Sequence, residues 1–143
     1  KYGYYNGGAH GLALSADGAA VTEKWADKEL DCQLHGTVLV DGCVYGTGQA
    51  KRGLSCIEFA TGKLLWRSEE PLKGSVAYAD GMLYLYGEDG VVRLIKPNAE
   101  KLEQVSQFQV TAGAGPHWAH PTIANGRLYI RHGDALMCYS IKE

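Results

Sequence analysis

The chain has 143 residues, a formal net charge of -2, 45% apolar and 21% charged side chains, and 10% aromatics with nine tyrosines. That composition suits one globular, strand-leaning unit, shows no second domain, and excludes a disordered or fibrous chain. The lysines and arginines are scattered, which leaves nucleic acid without an electrostatic footprint, and no apolar run nears the ~20 residues a membrane-spanning helix needs.

Taken in chain order, Lys1-Tyr2-Gly3-Tyr4-Tyr5-Asn6 shows no secretory leader pattern and leads into a polar loop from Asn6 to His10. Gly11-Leu12-Ala13-Leu14 alternates, turns and runs on to Trp25, and a long polar crossing follows from Ala26 to Leu34. In Val38-Leu39-Val40-Asp41-Gly42-Cys43-Val44-Tyr45 two short strands meet at Asp-Gly, the pair that best tolerates the two positive φ angles of a type I′ hairpin. After the loop Thr47 to Arg52 comes a second hairpin, Gly53-Leu54-Ser55-Cys56-Ile57-Glu58-Phe59, then Ala60-Thr61-Gly62, then Lys63-Leu64-Leu65-Trp66. The same order returns in Ala77-Tyr78-Ala79-Asp80-Gly81-Met82-Leu83-Tyr84 and Val91-Val92-Arg93-Leu94-Ile95 with its Pro97-Asn98 turn. Past the crossing Thr111 to Ala119 it begins again with Ile123-Ala124-Asn125-Gly126-Arg127-Leu128-Tyr129 and Ala135-Leu136-Met137-Cys138-Tyr139.

This is an internal repeat, with the turn glycines 39 and 45 residues apart and a tyrosine three places after each. Four short strands in about 40 residues is the spacing of a propeller blade. An antiparallel sandwich lacks such in-register repetition, with a Trp or Val about 40 residues apart at the blade ends. The expected fold is therefore all-β: a single domain, residues 1–143, of four-stranded antiparallel propeller blades. With strands named A to D from the channel outward, residues about 1–26 hold B, C and D. Residues 27–68 and 69–110 are whole blades and 111–143 hold A, B and C, about three and a half blades in all. The cysteines, Cys32, Cys43, Cys56 and Cys138, form no CxxC or adjacent pair, so no zinc site, redox dithiol or c-type haem is encoded. Cys56 and Cys138 fall at one place in strand C of blades two apart, too far for a disulfide.

The segment Cys56 to Trp66 resembles the tryptophan-docking motif of pyrroloquinoline-quinone (PQQ) dehydrogenases, Ala-x-Asp-x-x-Thr-Gly-Lys-x-x-Trp. Thr61, Gly62, Lys63 and Trp66 match it, whereas Cys56 and Glu58 replace the Ala and Asp. The resemblance makes Glu58, Thr61, Gly62 and Trp66 structural, with the indole flat between blades, and implies that Glu58 loosens the hydrogen bond fixing the turn. Asp41-Gly42-Cys43-Val44-Tyr45-Gly46, Ala79 to Tyr84 and His117-Trp118-Ala119-His120-Pro121 are similar to bacterial proteins described as quinoprotein alcohol or polyvinyl-alcohol dehydrogenases. The same blades form the lipoprotein scaffold of the outer-membrane β-barrel assembly machinery. The resemblance implies a seven- or eight-bladed parent with this chain as its C-terminal part, ending at Ala135 to Glu143. It also implies export to the periplasm and, for an enzymatic parent, PQQ with Ca2+. No cofactor or metal site is evident here, since the adjacent cysteine pair that plates the quinone and a calcium constellation are both missing. The leading expectation is a cofactor-free binding or scaffold module. The alternatives are part of a PQQ-dependent alcohol or polyvinyl-alcohol dehydrogenase, and a carbohydrate-binding or carbohydrate-active propeller.

The B–C loops and D–A crossings are long and polar and share one face, where function concentrates on a rigid scaffold. His35, Ser75 and His120 stand where strand A begins in three blades, with His117 and Trp118 just before His120. His10, Glu88, Asp89, His132 and Asp134 come from B–C loops of the same face. His35, His117, Trp118, His120 and His132 are the candidate ligand-binding residues, with His117, Trp118 and His120 as a stacking corner for a sugar. The expected partners are a small molecule or protein on that face, and the missing blades or a second copy of the chain at the open edges.

Overall fold

The structure, a computed structural model, describes residues 7–141. Its strands form four antiparallel sheets, each a meander in chain order. Blade 1 pairs β1 (Ala9–Leu14) with β2 (Val21–Asp27). Blade 2 is β3 (Val38–Val40), β4 (Cys43–Thr47), β5 (Leu54–Glu58) and β6 (Leu64–Arg67). Blade 3 is β7 (Gly74–Ala79), β8 (Met82–Gly87), β9 (Val91–Lys96) and β10 (Glu103–Gln109). Blade 4 is β11 (Thr122–Ala124), β12 (Arg127–His132) and β13 (Ala135–Ser140). The B strand expected in the first blade falls on Lys1 to Asn6, outside the described residues. No helix among the described residues is long and apolar enough to cross a membrane.

The A–B turns are built as their chemistry requires. Asp41, Asp80 and Asn125 take φ of 47°, 50° and 52°, and the glycines after them 76°, 76° and 70°, the two left-handed residues of a type I′ turn. One register follows in each blade, pairing Tyr45 with Cys56, Tyr84 with Leu94 and Tyr129 with Cys138. His10 lies within β1 rather than in a loop, because the alternation that begins at Ala9 draws it into the pairing with Ala26.

Strand alternation stacks the blades. In β8, Leu83 and Leu85 point one way, into a cluster with Val40, Tyr45, Leu54 and Cys56 of blade 2. Tyr84 and Tyr86 point the other way, onto Leu128 and Ile130 of blade 4. A strand buried on both faces excludes charge, which is why Met82 to Tyr86 carries only large aliphatic and aromatic side chains. Each large side chain so buried contributes about 1.5–3 kcal/mol.

Tryptophans join the junctions. Trp25 lies against Gly11 of its own blade and Gly62 of the next, and its Nε1–H donates to Phe59 O at 2.8 Å. Trp66 tilts against Tyr45, with ring centroids 6.2 Å apart, and donates to Asn98 O at 2.8 Å. Glu58 does not loosen the turn: its carboxylate accepts the Thr61 hydroxyl, and Thr61 Oγ1 in turn accepts Lys63 N–H at 3.2 Å. The longer side chain still reaches because the turn closes through backbone bonds from Gly62 N–H to Glu58 O and Glu58 N–H to Lys63 O, both 2.9 Å. In blades 1 to 3 the C–D pairing shifts register beside the docking position, leaving Lys24, Leu65 and Val105 unpaired. That bulge decides the third blade: Val105, at the spacing of a docking residue, is turned out, and Ser106 takes the place of Trp66 opposite Leu94.

The outward face of blade 1 is apolar, whereas that of blade 4 is mixed, with Leu136 paired opposite Arg131. Leu12, Leu14 and Val21 are exposed on blade 1, and Leu136, 71% exposed, on blade 4. The four cysteines are free thiols, with Cys56 and Cys138 in strand C of blades 2 and 4.

Candidate functional site

On the face of the D–A crossings, three groups of side chains replace the single cluster that the sequence suggests. The first joins blades 2 and 3. His35 Nδ1 lies 3.0 Å from Ser75 Oγ, His35 Nε2 3.2 Å from Glu88 Oε1, and Lys73 Nζ 2.9 Å from the same oxygen. An ionised Glu88 accepts from Nε2–H, so the neutral ring takes the Ser75 hydroxyl proton in hydrogen bonding at Nδ1. Serine, imidazole and carboxylate in line have the composition of a nucleophile, base and orienting acid, but Ser75 is only 1% exposed. The chain of bonds is therefore a latch between blades. Thr47 adds a second latch, donating to Gly74 O at 2.8 Å and accepting Gly74 N–H at 3.0 Å.

Burial holds the His35 imidazole below its ordinary pKa, against the pull of Glu88. Burial likewise pushes Glu88 upward, but the bonds from Lys73 and His35 together outweigh it and keep the carboxyl below the usual range. A histidine whose folded pKa is depressed binds its proton more readily when unfolded. Its contribution to stability is thus complete above about pH 6.5 and is lost as pH falls through the folded value. Glu88 behaves alike in a lower window, with stability present above about pH 4.5 and lost as the pH falls further. Melting temperature is accordingly expected to start falling just below pH 6.5. In His35→Gln the curve is expected to be flatter between pH 6.5 and 5 and lower at pH 7.5. A His35→Gln curve parallel to that of the parent would remove His35 from this role.

The second group is His120, whose Nε2 lies 2.9 Å from Leu34 O, so that it ties the start of blade 4 to that of blade 2 across the mouth of the channel. The third is behind it, where His117 and His132 stack with centroids 3.7 Å apart and an interplanar angle of 19°. His117 Nδ1 meets Tyr86 OH at 2.5 Å. His132 Nδ1 and Nε2 meet Ala112 O and Gly115 O at 2.8 and 2.7 Å. Both carbonyls are acceptors, so a neutral ring satisfies one of them and a protonated ring both. Burial and the neighbouring His132 charge hold His117 below its ordinary pKa.

Trp118 turns away from both groups. It is 55% exposed and lines a recess of about 330 Å³ with Pro116, Ala119 and Arg131. His117, Trp118 and His120, close in sequence, thus point to the blade junction, to solvent and to the channel mouth, and do not converge on one ligand. Asp134 is exposed in the Gly133–Asp134 turn, and His10, on β1, bonds Glu23 at 2.7 Å.

Sequence reasoning missed Arg93 and Lys73. Buried Arg93 reaches Asp89 Oδ2 at 2.8 Å and Glu70 Oε1 at 3.0 Å through one Nη2. The signal was available, since an arginine inside the apolar run Val91 to Ile95 needs a counter-charge, here the half-exposed Asp89 and Glu70. Among the described residues, no three His, Cys, Asp or Glu side chains gather as metal ligands. Burial, with Cys43 alongside, pushes the Cys56 thiol up to about 12, and burial with Asp31 pushes the partly buried Cys32 up to about 11, which disfavours the thiolate at both.

A family model described as outer membrane protein assembly factor BamB matches residues 12–116 and 50–142. The chain belongs to this PQQ-like repeat propeller family. Among solved structures it is similar to BamB from Moraxella catarrhalis, with a TM-score of 0.67 at 16% identity over 91% of this chain and 39% of that one. It is also similar to quinohemoprotein alcohol dehydrogenase from Comamonas testosteroni, with a TM-score of 0.60 at 18% identity over 80% of this chain and 20% of that one. A search of curated proteins finds no match. At such identities the likeness is one of fold, and the chain spans well under half the length of either structure. The partial propeller read from the sequence repeat is thereby shown.

Proposed function

We propose that this part of the propeller is a cofactor-free binding module whose contact surface is the D–A crossing face, centred on Trp118 and Arg131. The observation that carries the reading is that the acids and bases of this face already have partners within the protein. Glu88 is committed to Lys73 and His35, Asp89 to Arg93, and His132 lies within hydrogen-bond distance of two backbone carbonyls. A general base must be able to reach a substrate proton, and Glu88 and His35 cannot without breaking the latch between blades 2 and 3. The donor set does not fit a quinone with its calcium ion, which needs several uncommitted carboxylate and amide oxygens converging on one point. Trp118 beside Arg131 has the exposed aromatic and guanidinium composition that interfaces favour. A module of this kind in an exported protein acts from the periplasm, in keeping with the family to which it belongs.

The test is to offer the full-length protein PQQ and calcium, then an alcohol or polyvinyl alcohol with a redox dye. The binding-module reading expects no retained quinone absorbance and no alcohol-dependent dye reduction. Stoichiometric quinone with dye turnover would establish the dehydrogenase instead.

A further inference from the structure

Two junctions between blades are filled by an indole and the third is not. Between blades 2 and 3, Tyr45, Cys56 and Trp66 pack with Leu83 and Ile95 in one cluster. The strand registers reproduce these places between blades 3 and 4. Tyr84, Leu94 and Ser106 correspond to Tyr45, Cys56 and Trp66, while Leu128 and Tyr139 correspond to Leu83 and Ile95. Cys56 and Ile95 give way to the larger Leu94 and Tyr139, the tryptophan is lost to Ser106, and these residues, with Phe108 and Ile141, bound a cavity of about 200 Å³. The counterpart of an indole acceptor is also present. Phe59, whose carbonyl receives Trp25, is held by its N–H on Gly42 O at 2.9 Å, and Ile141 is held likewise on Gly126 O at 3.1 Å. Phe108, with its ring 4.7 Å from that of Tyr139, forms a wall two residues beyond Ser106 and leaves the cavity open.

We propose that this cavity binds a free indole-class ligand, a flat bicyclic aromatic with one N–H donor. It would lie between the faces of blades 3 and 4 as Trp66 lies between blades 2 and 3, and donate to the backbone at Ile141. A dry cavity of roughly 150 Å³ already holds benzene, so this volume suits a second fused ring. The lining is mostly apolar and aromatic, with Ser106, Gln107 and Ser140 as its polar members and no charged side chain, which selects against charged molecules. The ligand is the free heterocycle and not a partner's tryptophan, because β10 itself occupies the side from which a Cα and Cβ would have to come.

The test titrates indole, naphthalene and N-acetyltryptophanamide into the whole chain, followed by thermal shift and methyl NMR. Indole is expected to give a saturable rise in melting temperature, with shifts confined to the methyls of Val92, Leu94, Leu128 and Ile141. Naphthalene, of the same shape without the donor, is expected to bind several-fold more weakly. Ser106→Trp is expected to raise the ligand-free melting temperature and abolish the indole response. Should that variant not fold, Ser106→Leu, which fills part of the space, is expected to weaken indole about tenfold. No saturable indole response, methyl shifts elsewhere, or N-acetyltryptophanamide binding as tightly as indole would each overturn the proposal.

Discussion

Trp66→Ala is expected to destabilise the chain by about 3 kcal/mol, toward the lower end for a buried aromatic because the indole keeps some exposure. The change removes the ring from the core shared by blades 2 and 3, opens a void against Tyr45, and strips Asn98 O of its 2.8 Å donor. Trp118→Ala offers the contrast. Its ring is 55% exposed and lies over a recess rather than in a junction, so stability is expected to move by no more than about 0.5 kcal/mol. Urea unfolding of the two variants distinguishes these cases, and equal midpoint shifts would reject Trp66 as the residue that docks the blades.

The second large effect is expected at Gly62. Gly42 and Gly62 have nearly the same left-handed φ, 76° and 75°, so alanine carries the same backbone strain at both, about 1 kcal/mol or somewhat more. A Cβ at Gly42 meets nothing within 4 Å, whereas one at Gly62 falls 2.5 Å from Trp25 Cε3 and 2.6 Å from Cδ2. The indole must then leave its seat and its bond to Phe59 O, for a total of about 2–4 kcal/mol. In a Trp25→Ala background the excess of Gly62→Ala over Gly42→Ala is expected to vanish, a coupling that a double-mutant cycle reads directly. An excess that survives the removal of Trp25 would place the strain elsewhere in the turn.

What the sequence disclosed and what it hid follow from the range of the interactions. The Asp-Gly and Asn-Gly turns, the alternation around them and the Thr61-Gly62 seat are local, and each appears in the structure where the residues put it. The exchange of Val105 for Ser106 depends on one unpaired residue, and a one-residue shift in a strand reverses which side chain faces the next blade. The divergence of His117, Trp118 and His120 has a similar cause. They lie in a crossing without regular structure, so that their directions are set by long-range partners: Tyr86, solvent at the recess, and Leu34 O. The latch through Ser75, His35 and Glu88 draws on two blades, and only the stacking of the sheets brings them together.

These sheets are successive blades of a propeller, and a further blade would cover each of the two end faces. Leu12, Leu14 and Val21 at one end and Leu136 at the other are then surfaces that seek a partner, and without the remaining ring another copy of the chain is the nearest substitute. Light scattering across a dilution series tests this most directly. A mass above that of one chain, falling as the protein is diluted and lowered by a charge at Leu136 (Leu136→Glu), is the predicted result. A monomer at every concentration, indifferent to Leu136→Glu, would contradict it.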